Sequence, residues 1–373
     1  MKKKLAILIY SLGAGGAEKV VTTLLPALIE KFDVTLVLMN ETISYDLKGF
    51  NNIHFLENSV ATENGFLKLL KLPFLAYKYK QFANKNCIDL SLSLLVRPNL
   101  IAILSKLMGS KSTIIVSEHS LVSQQYSYKN LQSKINKFLI KIFYNHSDRI
   151  VAVSNGVAKD LTNNFHIKNQ ITTIYNPIEL DEIDRKKVEE VDFNFDKFTF
   201  ITIGRLDDGK NHKLMISAFS KLTDRNTQLL IIGEGDLRAP LEKLSVDLGV
   251  EHRVFLIGQV SNPYKYLHRA NCFLLTSKYE SFGMVLVEAL ACDLPIISTE
   301  CESGPIEILK TKEFTYAILV ENYSQELFTK AMQTLLSDRS LLELYKKSAK
   351  VRSHDFAKKI AIKQYVKLLD EVS

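Results

Sequence analysis

Leu5-Ala-Ile-Leu-Ile-Tyr10 runs into Ser11-Leu-Gly13-Ala-Gly15-Gly16-Ala-Glu18 and then into an apolar helical pattern reaching Glu30. That is a buried strand, a glycine loop and a helix in immediate succession. Glycines at such a turn let a backbone come close to a phosphate or a sugar. The same grammar returns at Phe198–Ile203, which leads into Gly204-Arg205-Leu-Asp-Asp-Gly-Lys210 and another helical stretch. Two openings of this kind in one chain predict two α/β halves.

Working outward, the first half alternates strand-like runs with helical patterns. Strands are expected at 5–10, 34–39, 53–56, 90–94, 113–116 and 150–153, and helices at about 17–30, 65–84, 99–108, 131–145 and 155–164. Alternation of this sort builds a doubly wound parallel sheet. After Tyr175-Asn-Pro177 the pattern stops, and 178–197 is a charged stretch with little hydrophobic period, read as a linker. A second series follows, with strands at 198–203, 228–232, 254–257, 272–275, 295–298 and 316–320. The reading is an α/β chain of two Rossmann-like domains, 1–177 and 198–354, with a terminal helical segment at 355–373.

A chain of 373 residues exceeds one typical core, and 46% hydrophobic with 24% charged residues describes a globular protein. Cys87, Cys272, Cys292 and Cys301 show neither CxxC nor Cys/His spacing, so neither a disulfide framework nor a zinc site is expected. Residues 1–180 hold 21 Lys and Arg against 12 Asp and Glu, a charge of +9, and the remainder 27 against 29, or −2. The first half therefore suits an anionic partner. Met1-Lys-Lys-Lys with the short run after it is too brief for a signal peptide, and no 18-residue apolar segment exists to span a membrane. A cytoplasmic protein is expected.

Chemistry concentrates at strand ends. Glu280-Ser-Phe-Gly-Met-Val-Leu-Val-Glu288 places two carboxylates eight positions apart around Gly283. Were all nine residues helical, these would lie about 12 Å apart along the axis. Glu280 is therefore expected on an entry loop and Glu288 two turns inside the helix. Between them, the free amides of the first turn form an anion site. Glu288 sits in an otherwise apolar helix and needs a partner there; sugar or ribose hydroxyls would serve, whereas a helix with one exposed glutamate is the plainer reading.

Arg205 and Lys210 can converge on a diphosphate, Arg bidentate and Lys as a point charge, against the plainer reading of a solvated loop with a capping Asp. Glu118-His119-Ser120 ends the strand beginning at Thr113, which sets His119 at a strand's carboxyl end, although a single histidine is more often structural. Gly233-Glu-Gly235 and Gly258-Gln-Val260 end other strands, as pocket linings or as ordinary turns. The second strand ends at Met39-Asn40 instead of an acidic residue, which disfavours nicotinamide binding.

On the helical wheel Lys68, Lys71, Lys78 and Lys85 fall within an arc of about 100°. Lys134, Lys137 and Lys141 repeat the arrangement, and Pro73 is expected to kink or restart the first of these helices. Basic, aromatic-bearing amphipathic stretches fit an anionic membrane surface or a lipid diphosphate, and a solvated helix face is the plainer alternative. No nucleic-acid module appears, so nucleic acid is not an expected partner.

The Glu-x7-Glu spacing with Ser281-Phe282-Gly283 inside it resembles the donor-site motif of glycosyltransferase family 4, the retaining nucleotide-sugar transferases of GT-B fold. What the resemblance implies is two Rossmann-like domains facing a central cleft, with the terminal helix crossing back to the first domain. It assigns Glu280 to the donor sugar, Glu288 to the nucleotide ribose, and the amides of Phe282, Gly283 and Met284 to the diphosphate. Gly204, Arg205 and Lys210 also fall to the diphosphate. Gly15 and Gly16 lie over the donor phosphates or the acceptor, and His119 near the reacting carbon of the donor sugar. No Asp-x-Asp occurs in the chain, so neither metal nor cofactor is expected beyond the UDP-sugar substrate.

A closer similarity runs through Tyr10–Val21, Ile43-Ser-Tyr-Asp46, Glu63–Lys68 and Asn262-Pro-Tyr-Lys-Tyr266. These stretches resemble the GalNAc transferases that extend undecaprenyl-diphosphate oligosaccharides in Campylobacter-type protein N-glycosylation. Around Glu118-His119-Ser120 the chain looks more like the polymerising type than the one adding a single residue. That similarity implies α-1,4 transfer of GalNAc from UDP-GalNAc to a lipid-linked glycan, peripheral on the inner face of the bacterial inner membrane. Other UDP-hexoses or HexNAc donors in capsule, O-antigen or lipooligosaccharide synthesis stay open, as do a UDP-sugar epimerase and a non-catalytic sugar-nucleotide binder.

Overall fold

The computed structural model describes residues 2–13, 15–47, 49–58, 63–128, 130–301, 303–321 and 323–372. Ala14, within the first glycine loop, lies outside the described residues. The chain divides into two compact units: Met1–Pro177 with Lys358–Ser373, and Ile178–Ala357.

Unit one holds seven parallel strands: β1 (Lys4–Ile9), β2 (Asp33–Leu38), β3 (Ile53–Phe55), β4 (Leu90–Leu94), β5 (Thr113–Glu118), β6 (Arg149–Ala152) and β7 (Ile171–Thr173). Their order is β3-β2-β1-β4-β5-β6-β7. β1, β4 and β5 are buried on both faces; β1 reads as a near-continuous apolar run, while β4 alternates Leu with Ser91 and Ser93, whose hydroxyls are bonded to Tyr79 and Asn99. β7, three half-buried residues at the sheet edge, carries no such run and was not foreseen. The order reverses between β1 and β4, so ligands are expected outside the carboxyl ends of those strands. The expected helix over 65–84 is two, Gly65–Leu70 and Leu72–Lys85, with Pro73 starting the second. Helix Lys358–Glu371 packs on this unit through Ala361, Tyr365, Leu368 and Leu369, which join the core around Leu24 and Leu28 of helix Gly16–Lys31.

Unit two has six parallel strands, β8 (Phe198–Ile203), β9 (Thr227–Ile232), β10 (Val254–Gly258), β11 (Cys272–Leu275), β12 (Ile296–Thr299) and β13 (Ile318–Val320), in the order β10-β9-β8-β11-β12-β13. Here the order reverses between β8 and β11. The stretch 178–197, expected as a linker, is different in the structure. It belongs to unit two and contains helix Leu180–Lys186, with Asp181 and Glu182 in its first turn and Arg185 and Lys186 in its last. Those charges oppose the helix macrodipole at both ends, and they stabilise a short helix that hydrophobic period alone cannot announce.

Candidate active site

In unit two the loops leaving β8 and β11 are the two at the switch point, and they are tied together. Lys278 donates its backbone N–H to Gly209 O at 2.8 Å, and Thr276 Oγ1 donates to Lys210 O at 3.0 Å. Asp207 Oδ1 accepts the Lys210 N–H at 3.0 Å and fixes the turn. Lys210 is thereby aimed at Glu280: its Nζ lies 2.5 Å from Glu280 Oε1, which also accepts Ser277 Oγ at 2.7 Å. The two side chains are only 24% and 11% exposed, so the pair is partly desolvated and its attraction exceeds that of a surface ion pair.

Glu280 is held by the backbone as well, bridging to Ser303, whose Oγ donates to Ser281 O at 3.0 Å. Ser303 adopts φ 96°, a strained conformation for a residue with a side chain. Beside it, a Cβ on Gly304 would stand 2.0 Å from Phe282 O, so only glycine fits there. Gly283 takes φ 89° as N-cap of helix Met284–Ala291 and offers no side chain to close the first turn. Among the described residues no side chain caps this helix N-terminus. Glu288 is the fifth residue of that helix, one turn inside it where two were expected, because the helix begins only after Gly283. Its Oε1 accepts Tyr264 Oη at 3.3 Å, and burial pushes the Tyr264 phenol well above its usual range.

Arg205 points elsewhere. Its side chain is 83% exposed and its Nε lies 3.5 Å from Asp207 Oδ2, so the two cations expected to converge are apart, Lys210 held by Glu280 and Arg205 by Asp207. Gly204 lies against Lys210: a Cβ there would touch the lysine stem at 3.4 Å. The glycines of Gly233-Glu-Gly235 serve backbone packing. A Cβ on Gly233 would stand 1.9 Å from Gly204 O, and one on Gly235 2.5 Å from Leu206 O, so both let the loop after β8 nest against the end of β9.

In unit one His119 follows β5. Its ring Nε2 lies 3.0 Å from Ser117 Oγ, Nδ1 is buried without a hydrogen-bond partner among the described residues, and burial pulls the ring's pKa down to about 3. Glu118 behind it is fully buried. Its carboxylate accepts the N–H groups of His119 and Ser120 at 3.0 Å each, Ser120 Oγ at 2.5 Å and Tyr144 Oη at 2.8 Å. Those four donors replace the hydration a buried carboxylate loses, although burial still raises its pKa. Gly15 is the N-cap of helix Gly16–Lys31, where no side-chain cap forms. Its φ is ordinary, and a Cβ there would meet only the end of the Glu18 side chain, which can turn aside. Among the described residues no group of three or more His, Cys, Asp or Glu could hold a metal ion.

The basic face is less free than the wheel suggested. Lys71 pairs with Glu57 and Glu63, Lys68 lies over the Tyr10 ring and Lys78 over the Phe74 ring. Beside them Phe66, Leu67, Leu70, Phe74 and Tyr77 are exposed. No helix among the described residues is long and apolar enough to cross a membrane.

Ser277, Tyr264 and Tyr144 escaped sequence reasoning. Ser277 sits three residues before Glu280 and Tyr264 lies within the quoted Asn262–Tyr266 stretch, but hydroxyl partners carry no spacing signal of their own.

The Glycosyltransferase Family 4 profile matches residues 14–182, and the Glycosyl transferases group 1 profile matches residues 184–352. The chain is 42% identical over 357 residues, 95% of its length and 96% of the relative's, to N-acetylgalactosamine-N,N'-diacetylbacillosaminyl-diphospho-undecaprenol 4-alpha-N-acetylgalactosaminyltransferase of Campylobacter jejuni. It is 27% identical, over 99% of each chain, to the same organism's GalNAc-alpha-(1->4)-GalNAc-alpha-(1->3)-diNAcBac-PP-undecaprenol alpha-1,4-N-acetyl-D-galactosaminyltransferase. The solved structure of Anabaena Alr3699/HepE in complex with UDP and glucose superposes with a TM-score of 0.79, at 16% identity over 99% of each chain. The chain belongs to glycosyltransferase family 4 and is a hexosyltransferase of GT-B fold.

Proposed function

We propose that this enzyme transfers GalNAc in α-1,4 linkage from UDP-GalNAc to an undecaprenyl-diphosphate-linked oligosaccharide at the cytoplasmic face of the membrane, in the assembly of a protein N-glycan. One observation carries the donor reading. Lys210, Glu280 and the side-chain-free helix N-terminus at Gly283 stand together at the switch point of unit two. A fixed ammonium and unclosed helix amides are what a departing diphosphate requires.

In this reading Lys210 and the amides of Phe282, Gly283 and Met284 take the diphosphate, with Gly204 giving Lys210 its room. Arg205, exposed and only loosely held, swings in when the donor arrives. Glu288 takes the ribose hydroxyls, Glu280 the donor sugar, and His119 the sugar near its reacting carbon. Gly15 and Gly16 accommodate the phosphates or the acceptor. The bond from the anomeric carbon to the diphosphate oxygen breaks with oxocarbenium-like charge on the sugar. The acceptor hydroxyl then attacks from the same face and gives its proton to the departing diphosphate oxygen. Cations and dipoles supply the neutralisation, so no divalent ion is required. The identity of the acceptor leans on the relative that shares 42% of its residues over nearly its whole length.

At the membrane, the exposed Phe66, Leu70 and Phe74 enter the interface while Lys68, Lys78, Lys85, Lys134, Lys137 and Lys141 face anionic headgroups. Lys71 serves its two glutamates instead. Sedimentation with anionic vesicles tests this: the Phe66→Ser/Leu70→Ser/Phe74→Ser variant is expected to lose binding, and undiminished binding overturns the assignment. For the activity, the purified chain is incubated with a panel of UDP-sugars and undecaprenyl-diphosphate-linked acceptors and the products are weighed by mass spectrometry. A mass increase of one or more HexNAc from UDP-GalNAc is expected. Free epimerised UDP-sugar without acceptor, or binding without turnover, would replace the proposal by one of its rivals.

A further inference from the structure

Behind His119 runs a chain of hydroxyls that ends on the last helix of the molecule. Tyr365, on helix Lys358–Glu371, is buried, and its Oη lies 3.3 Å from Ser117 Oγ on β5. Ser117 Oγ lies in turn 3.0 Å from His119 Nε2, while Nδ1 of the same ring is buried and has no partner among the described residues. Two hydroxyl hydrogens and one ring hydrogen must be distributed over these atoms. If Tyr365 donates to Ser117 and Ser117 donates to Nε2, both hydroxyl hydrogens are used and the ring hydrogen sits on Nδ1. If Nε2–H donates to Ser117 instead, one hydroxyl hydrogen is left over. That hydrogen, on Tyr365 or on Ser117, would be buried with no acceptor among the described residues, and the Nδ1 lone pair would be unmet as well, whereas the first arrangement leaves only the Nδ1–H unmet and is the less costly.

We infer that Tyr365, acting through Ser117, is a positioning residue that holds His119 in the Nδ1–H tautomer and so fixes the hydrogen-bonding character of the ring. Burial keeps the ring neutral, so that it has a tautomer to hold. The backbone beneath it is anchored by Glu118, which takes the His119 N–H and is itself held by Tyr144, whose Oη accepts Asn99 Nδ2 at 3.1 Å. The terminal helix therefore completes the acid–base state of a residue far from it in sequence. The inference rests on the reading of His119 as a donor-sugar contact.

Long-range ¹⁵N–¹H correlation spectra of the full chain with ¹⁵N-labelled histidine read the tautomer directly, with the His119 signals assigned by their loss in His119→Gln. The wild type is expected as Nδ1–H, and Ser117→Ala as Nε2–H or a mixture. Tyr365→Phe should show a partial shift, with kcat lower by about fivefold to tenfold, the size of one lost hydrogen bond, and donor KM little changed. An Nε2–H ring in the wild type overturns the inference whether or not the variants fold. So does a folded Tyr365→Phe with both tautomer and kcat unchanged. The spectrum is recorded without substrate, so an Nε2–H result leaves the donor assignment standing, and failure with every UDP-sugar leaves the tautomer standing.

Discussion

Replacing Lys210 with alanine should separate what this lysine does for the fold from what it does for the reaction. In the folded protein it neutralises Glu280 at 2.5 Å, and both side chains are largely withdrawn from water. Alanine leaves the carboxylate with Ser277 as its side-chain donor. Breaking a fully buried pair costs about 3–5 kcal/mol and an exposed one about 0–1 kcal/mol, so exposures of this size place the loss near 2 kcal/mol. For a unit of this size that is a fall in Tm of about 4–8 °C. The effect on catalysis is separate: removing one fixed positive group from a developing anion lowers kcat by about 10²–10³. The assay pairs thermal unfolding with initial rates of transfer. Lys210→Ala/Glu280→Gln provides the control, because the neutral amide no longer strands a charge; stability should recover while activity stays lost. A single Lys210→Ala variant with kcat within about threefold of wild type would refute the assignment of Lys210 to the leaving group.

Two further outcomes follow from the same geometry. Gly304→Ala forces a Cβ against the backbone of Phe282 and should cost about 2–3 kcal/mol while weakening UDP binding, since the Phe282 amide moves with it; denaturant unfolding at wild-type stability would contradict this. Acidification should destabilise the protein. Burial lowers the pKa of His119 to about 3 and that of His212 to about 4, so between these values and the unfolded 6.5 the unfolded chain binds more protons than the native one. Their contribution is therefore intact above about pH 6.5 and is lost progressively as pH falls toward 4. Urea unfolding across that range should show the slope, and His119→Gln should flatten part of it; an unchanged slope in the variant would exclude His119 as its source.

The division between what the chain announces and what it conceals follows the range of the interactions. Buried parallel strands such as Lys4–Ile9 and Thr227–Ile232 contain local apolar runs, visible in the residues themselves. Edge strand Ile171–Thr173 and helix Leu180–Lys186 are not, since one is too short and half-exposed and the other is stabilised by terminal charges. Glu280 and Lys210 were each legible as strand-end residues, but their pairing joins positions seventy apart in sequence, and only the side-by-side arrangement of β8 and β11 brings it about. The same holds for Lys71, between helices Gly65–Leu70 and Leu72–Lys85, whose partners Glu57 and Glu63 come from the segment before the first of them, and for Tyr365, which reaches Ser117 from the far end of the chain.

The central claim is that a nucleotide diphosphate is received by Lys210 and the amides beginning at Phe282, with the ribose at Glu288. A structure of the enzyme crystallised with UDP in the presence of a chelator tests it most directly. The account predicts the β-phosphate within hydrogen-bonding distance of Lys210 Nζ and of the amides at Gly283, with the ribose hydroxyls on Glu288. A nucleotide seated away from these groups, or one bound only when a divalent ion is supplied, would contradict it.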